Sequence, residues 1–339
     1  MENEMMRHVR VGVIGVGNMG IRHARIYHQL DNARLVAICD LNKVALANAR
    51  ILLGDVFATE NVDELLARDD IEAVSICMPD DSHFEIIIKA IKHHKNILVE
   101  KPLADNYRAA TEIAAALNGY PQKVMVGHLL RFDPRYSGAY NLIHQGEIGE
   151  LVCIKCKRAS VVTGPRYYKG RSNLPFHLAV HDLDLINWYL GCKARKVTAI
   201  GMSKVLNDLG IDDCLFSNIT YHNRVIVQME HSWVMPVMYP PKLDAQMEII
   251  GTHGVIELDL KNQGLSIFKA DRSEVINTSY FFERADGILT GCLVEQIRSF
   301  LNAILTDTPV AVPVSEGLEN VRLAQALLDS ARENREIIL

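Results

Sequence analysis

Four groups of residues in this chain combine types and spacings that suit chemistry. They are the glycine turn Gly15-Val-Gly-Asn-Met-Gly20, the acid Asp40, Lys101 within Glu100-Lys101-Pro102, and the set His177, His181 and Asp184. In the turn, Gly15 permits a sharp reversal, Gly17 lets the backbone approach a pyrophosphate with no Cβ in the way, and Gly20 lets the following helix pack on the strand. The N–H groups of Asn18 and Met19 then open a helix whose positive end attracts phosphate. Asp40 ends the next strand, 20 residues after Gly20, where a carboxylate accepts hydrogen bonds from the adenosine ribose hydroxyls. This pattern predicts NAD and disfavours NADP. A 2′-phosphate would be repelled by Asp40, and Leu41-Asn42-Lys43 carries no arginine to compensate. A glycine turn without a ligand is the alternative, and strand, turn, helix and acid together weigh against it.

Glu100-Lys101-Pro102 follows a strand candidate, at the carboxyl edge where open α/β sheets bind ligands. From there the Lys101 ammonium can hydrogen-bond a substrate hydroxyl and favour its alkoxide-like form as hydride leaves the carbon. Position alone leaves a surface lysine equally open. A helix is expected to start near Asn173 and Pro175 and to end at Gly191. On it His177, His181, Asp184 and Trp188 form one stripe, with Ala179, Leu183, Ile186 and Leu190 nearly opposite. Facing a cleft, His181 would act as general base, tuned by Lys101 and Asp184; facing water, the stripe would be an ordinary solvated surface. The His177–His181 spacing, with Asp184 as a third ligand, also suits zinc. No metal is expected, because no Glu follows His177 as in HExxH peptidases and Lys101 would stand by as a competing cation.

The elements that must position these groups follow from texture. Val9–Ile14, Leu35–Cys39, Ala73–Cys77, Asn96–Val99 and Lys123–Gly127 are short apolar runs alternating with helical stretches, the pattern of a parallel sheet buried on both faces. After residue 150 longer β-like stretches appear at 151–162, 195–206, 214–221, 224–234, 244–251 and 254–259, several joined by turn signals. A connecting helix is expected near 134–145 and two amphipathic helices near 292–306 and 315–333. The fold expected is α/β: an N-terminal Rossmann doubly wound parallel sheet over 1–128, then a C-terminal α/β domain over 129–339 with a large, mostly antiparallel sheet. The C-terminal helices are expected to pack back on the first domain.

Composition narrows the class. With 36 basic and 41 acidic side chains in 339 residues, the formal charge of −5 lacks the basic excess of a nucleic-acid binder. No run approaches the roughly 20 apolar residues of a membrane span, and MENEMMRHVR shows no export signal. Seven scattered cysteines suit a reducing cytoplasm. Cys153 and Cys156 form a CxxC on a predicted strand, where residues three apart face opposite sides and cannot readily share a metal.

The same landmarks resemble, in order, the Gfo/Idh/MocA oxidoreductases, the glucose-fructose oxidoreductase and inositol dehydrogenase-like family. They are the glycine turn with His23, Met78-Pro-Asp-Asp-Ser-His83, Glu100-Lys-Pro102, Gly127-His-Leu-Leu-Arg-Phe-Asp-Pro134, His181-Asp-Leu-Asp184, Gly251-Thr-His-Gly254 and the tail from Pro313 to Ser330. The resemblance implies hydride exchange between NAD(P) and sugars, inositols or nucleotide sugars. It also implies a catalytic lysine, here Lys101, and a catalytic histidine on a second-domain helix, here His181. By position Met78, Pro79, His83 and Glu100 would then line the cofactor, and His128 the substrate. One departure stands out: the family usually has Asp four residues before the histidine, and this chain has His177. Asp184 would take over the orienting role, or His177 would itself contact substrate. Arg158–Arg171, with Arg166, Tyr167 and Tyr168, reads as a lid whose arginines grip a phosphate or carboxylate while tyrosines stack on a ring, or as an exposed charged loop. The expected substrate is a sugar or nucleotide-sugar secondary alcohol, with an inositol-like polyol as alternative; a non-catalytic NAD-binding sensor is the rival of another class. A sheet covered by helices on one face only predicts a homodimer or homotetramer.

Overall fold

The computed structural model describes residues 7–269, 271 and 273–339. The chain forms two compact units, one built from the chain up to Leu129 with Phe281–Leu318, the other from Leu130–Tyr280 with Glu319–Leu339.

In the first unit strands and helices alternate: β1 (Val9–Ile14), α1 (Asn18–Gln29), β2 (Ala33–Cys39), α2 (Lys43–Leu53), β3 (Phe57–Thr59), α3 (Val62–Leu66), β4 (Ala73–Ile76), α4 (His83–Lys92), β5 (Asn96–Glu100), α5 (Tyr107–Ala116) and β6 (Val124–Gly127). The six strands pair in parallel in the order β3-β2-β1-β4-β5-β6, which reverses between β1 and β4. Val11, Val13, Val74, Ile76, Ile97 and Val99 are fully buried, as a sheet covered on both faces requires. Asparagine side chains start three of the helices: Asn42, Asn61 and Asn106 each accept a first-turn N–H. Of these six strands the sequence periodicity missed β3, whose three residues are too few to show a period.

The second unit begins with α6 (Pro134–His144), capped by Asp133 with proline in the first turn. β7 (Leu151–Val161), the short α7 (Thr163–Tyr167), a π-helical turn at Pro175–Ala179 and α8 (Val180–Leu190) follow. Then come β8 (Ala194–Met202), β9 (Cys214–Tyr221), β10 (Ile226–Met235), β11 (Leu243–Gly251) and β12 (Val255–Asp259), with a hairpin of β13 (Ser266–Phe268) and β14 (Ser273–Val275). In the first unit, β15 (Phe282–Glu283) and β16 (Leu289–Thr290) form a second hairpin before α9 (Cys292–Leu305), which packs on α1 and β1. The Gln29 side chain exchanges two hydrogen bonds with the Leu289 backbone, tying that hairpin to α1. α10 (Val314–Glu333) precedes β17 (Ile337–Ile338), which joins the large sheet in the order β12-β11-β7-β10-β9-β8-β17. Only β7 and β10 run parallel; the other pairs are antiparallel.

Along β9 and β10 burial alternates: Leu215, Ile219, Val227 and Met229 are buried, while Phe216 and Ile226 are each 54% exposed on the other face. Cys156 is buried with Ile154 on β7, and Cys153 takes the opposite parity, so the CxxC is two separate thiols. Among the described residues no helix is long and apolar enough to cross a membrane, and no group of three His, Cys, Asp or Glu could hold a metal ion.

Candidate functional site

The glycine turn joins β1 to α1, and each glycine has its own reason. Gly15 sits at φ +84°, and a Cβ there would lie 2.7 Å from the Cys77 carbonyl oxygen. A Cβ on Gly20 would lie 1.7 Å from the Gly15 carbonyl oxygen, so helix and turn touch through that position. At Gly17 a Cβ would meet no protein atom within 4 Å. No side chain caps α1 and no acid stands in its first turn, which leaves that helix end suited to an anion, with Asn18 and Met19 as its first two residues. A dinucleotide pyrophosphate fits this cradle.

Two substitutions separate these roles. Gly20→Ala should distort the turn and abolish NAD binding with a lowered melting temperature, whereas Gly17→Ala should melt like the parent and still weaken NAD about tenfold or more, the cost of one lost close approach. Fluorescence titration with NADH and thermal unfolding read the two; equal NADH affinity in Gly17→Ala and parent would remove the cradle from the cofactor site.

Asp40 also shapes the turn. Its carboxylate accepts one N–H from Val16 and one from Asn42, both at 2.8 Å. Each carboxylate oxygen can accept more than one hydrogen bond, so a ribose hydroxyl can be added.

Around β5 the structure places the landmarks unequally. Lys101 is half-buried at the strand's end and Glu100 is buried. Met78 is half-buried and Pro79 exposed just beyond β4. His83 and His128 correct the sequence reading. Both are 1% exposed, so neither ring is offered to a ligand as an open surface. The His83 ring nitrogens lie 2.9 Å from the Pro102 carbonyl and 3.1 Å from that of Met78, so His83 holds the loops after β4 and β5 together.

The reactive-helix landmarks lie in the second unit. Instead of one regular α-helix, Pro175–Ala179 form a π turn before α8, and Asn173 accepts the Phe176 N–H ahead of it. Gly191 ends α8 in the left-handed region as expected. His177 and His181 are half-buried, but Asp184 is 1% exposed, so the polar stripe is not a solvated face. Asp184 accepts two hydrogen bonds from Arg131, at 2.8 and 2.6 Å, and one from Asn320 at 2.9 Å. These bonds hold its carboxylate in the core.

Arg158 is the clearest correction. It lies within β7 rather than in a loop, 2% exposed, and donates two hydrogen bonds to Asp182 at 3.0 and 2.7 Å. The Asp182 carboxylate also lies 2.9 Å from His231 Nε2. Burial by itself would raise the Asp182 carboxyl; the Arg158 charge and the hydrogen bonds from His231 and Arg158 outweigh it and hold the group at about 2. Arg166 is exposed and paired with Asp208 at 2.7 Å, and Tyr167 is 77% exposed on α7. Tyr168 does approach the reactive helix: its ring is 5.0 Å from that of His177, which is 5.7 Å from that of the buried Trp233. Sequence reading missed Asp182, His231 and Trp233. Only the acid in His181-Asp182-Leu-Asp184 offered a signal.

A doubly wound parallel sheet with an uncapped glycine turn, an acid just after β2 and a lysine at the end of β5 defines a dinucleotide-dependent oxidoreductase. The family model described as "Oxidoreductase family, NAD-binding Rossmann fold" matches residues 9–128, and its partner, "Oxidoreductase family, C-terminal alpha/beta domain", matches residues 141–339. The chain belongs to this Gfo/Idh/MocA family and is an NAD-dependent dehydrogenase acting on CH–OH groups. It is similar to an inositol 2-dehydrogenase of Rhizobium meliloti (strain 1021), 27% identical over 97% of this chain and 98% of that one. It is also 27% identical to a scyllo-inositol 2-dehydrogenase (NAD(+)) of Bacillus subtilis (strain 168), over 93% of each chain. The crystal structure of scyllo-inositol dehydrogenase from Lactobacillus casei with bound NAD(H) and scyllo-inositol shares the fold, with TM-score 0.85, 22% identity and coverage of 98% and 99%.

Proposed function

We propose that this protein exchanges hydride between NAD and a secondary alcohol or ketone of a cyclic polyol or sugar. Bound NAD supplies the hydride acceptor. Lys101 donates a hydrogen bond to the reacting hydroxyl and favours its alkoxide-like form, while His181 takes the hydroxyl proton as general base. His177 stands where the family usually has Asp, as a second group for substrate. The observation that carries this reading is Lys101 at the end of β5, in the same parallel sheet whose β1 turn forms the phosphate cradle. The dehydrogenase names of the relatives favour an inositol-like polyol and lend no support to a non-catalytic NAD-binding protein. A sugar or nucleotide sugar is the second reading, favoured by the Tyr168 ring near His177.

The purified protein with NAD should reduce it in the presence of at least one member of a panel of inositol stereoisomers, aldoses and nucleotide sugars. Saturable NADH binding with no turnover on any of them, in either direction, would overturn the proposal. Asp40→Ser should weaken NAD and narrow its advantage over NADP in the same titration. We further infer a homodimer or homotetramer using the face of the large sheet that exposes Phe216 and Ile226, and residence in the cytoplasm, where the seven free thiols stay reduced.

A further inference from the structure

Four polar side chains of the first unit form a buried chain that no step above uses. Tyr27, Ser75 and His23 are 0% exposed and Glu100 is 6% exposed. Tyr27 Oη lies 2.8 Å from Ser75 Oγ, Ser75 Oγ lies 3.1 Å from His23 Nδ1, and His23 Nε2 lies 3.2 Å from Glu100 Oε1. We propose that Tyr27, Ser75 and His23 are a positioning relay that orients the Glu100 carboxylate, and that this carboxylate sets the relative affinity of the site for the oxidised and reduced cofactor. The proposal rests on the reading of the cofactor as NAD bound along this sheet.

The proton order follows from the hydroxyls. Burial raises the Tyr27 phenol well above its usual range, so it keeps its proton, and in the order proposed it gives that hydrogen to Ser75. Ser75 has one proton, which is then directed at His23 Nδ1. The ring proton of a neutral His23 is thereby left on Nε2, facing Glu100. That last approach is not an aligned hydrogen bond, so the ring orients the carboxylate through the dipole of its N–H. Room for the carboxylate comes from Gly127, where a Cβ would stand 3.0 Å from Glu100 Oε1. The neighbouring Cys77 thiol is pushed well above its usual value, by burial first and by Glu100 second, so it stays a neutral thiol.

Position gives the charge its use. Asp40 ends β2, on the adenosine side of the reversal between β1 and β4; Glu100 ends β5, on the other half, which takes the nicotinamide. The nicotinamide ring is cationic when oxidised and neutral when reduced. A fixed carboxylate in a poorly solvated site therefore attracts one form and not the other. Lys101 acts in the opposite sense, repelling the oxidised form, so a change of the ratio at constant Lys101 reports the Glu100 carboxylate.

Isothermal titration of the full-length protein with NAD and with NADH tests this without requiring turnover. Glu100→Gln should weaken NAD about tenfold while NADH changes less than about threefold, as expected for loss of one nearby charge. His23→Leu should move the ratio in the same direction by less, and His23→Gln, which returns an N–H donor, should restore it. Equal weakening of both forms in Glu100→Gln and His23→Leu would reduce the relay to scaffolding and overturn the proposal, as would an unchanged ratio in both. Should Glu100→Gln fail to fold, the two His23 variants carry the same comparison. Failure of the parent to bind either form would count against the NAD reading, whereas loss of turnover without a change of ratio would count against the relay alone.

Discussion

Replacing His181 by alanine is expected to cut turnover about 100- to 10,000-fold, the range for loss of a positioned general base, while NADH binds as tightly as before. The side chain stands in the first turn of α8, half-buried, and its sequence neighbour Asp182 is anchored to Arg158 and His231. That anchorage limits how the helix can turn, so the alanine variant loses an imidazole and keeps its frame. His177→Asp makes the complementary test. Asp182 and Asp184 are each neutralised by a buried arginine, so a new carboxylate at 177 would be uncompensated by either. Next to His181 it would favour the imidazolium, and the acid limb of the kcat/KM profile should then move to higher pH. Steady-state rates across pH decide both. Turnover of His181→Ala within a factor of two of the parent would remove this histidine from the chemistry.

Arg158→Met should be the most destabilising single change in the second unit. It removes both guanidinium bonds from a carboxylate that is 1% exposed, leaving Asp182 with His231 alone. Breaking one side of such a pair costs about 3–5 kcal/mol, which lowers the melting temperature by on the order of 10 °C. Arg158→Met with Asp182→Leu should recover much of that loss, because no buried charge is then stranded. The pH dependence has a definite sign. The folded Asp182 carboxyl titrates at about 2 and an unfolded aspartate near 3.9, so the unfolded chain binds this proton first as pH falls. The contribution of Asp182 to stability is complete above about pH 4 and is lost progressively toward pH 2. Melting curves of parent and double variant should therefore converge as the acid is titrated. A parent-like melting temperature for Arg158→Met would show that Asp182 is not held by this arginine.

Both predictions concern residues whose identity the sequence displayed and whose surroundings it did not. The glycine turn, Asp40, the Gly191 helix end and the longer strands of both sheets were legible because each is a constraint between near neighbours: a φ angle, a helix stop, a period of two or of 3.6. By those rules Gly15, Gly20 and Gly191 had to stand where they do. Arg158 was assigned to a lid and Asp184 to the reacting stripe because charged residues are ordinarily exposed. The structure buries both on partners remote in the chain: Arg158 and Asp182 are 24 positions apart, Asp184 and Asn320 are 136. The same holds for His23 and Glu100, which become neighbours only once α1 packs on the sheet. Local backbone preferences are written into short stretches of residues, so the order of elements could be read directly. Which charges lie inside depends on whether folding delivers a partner to offset their desolvation, and that is decided only when distant segments meet.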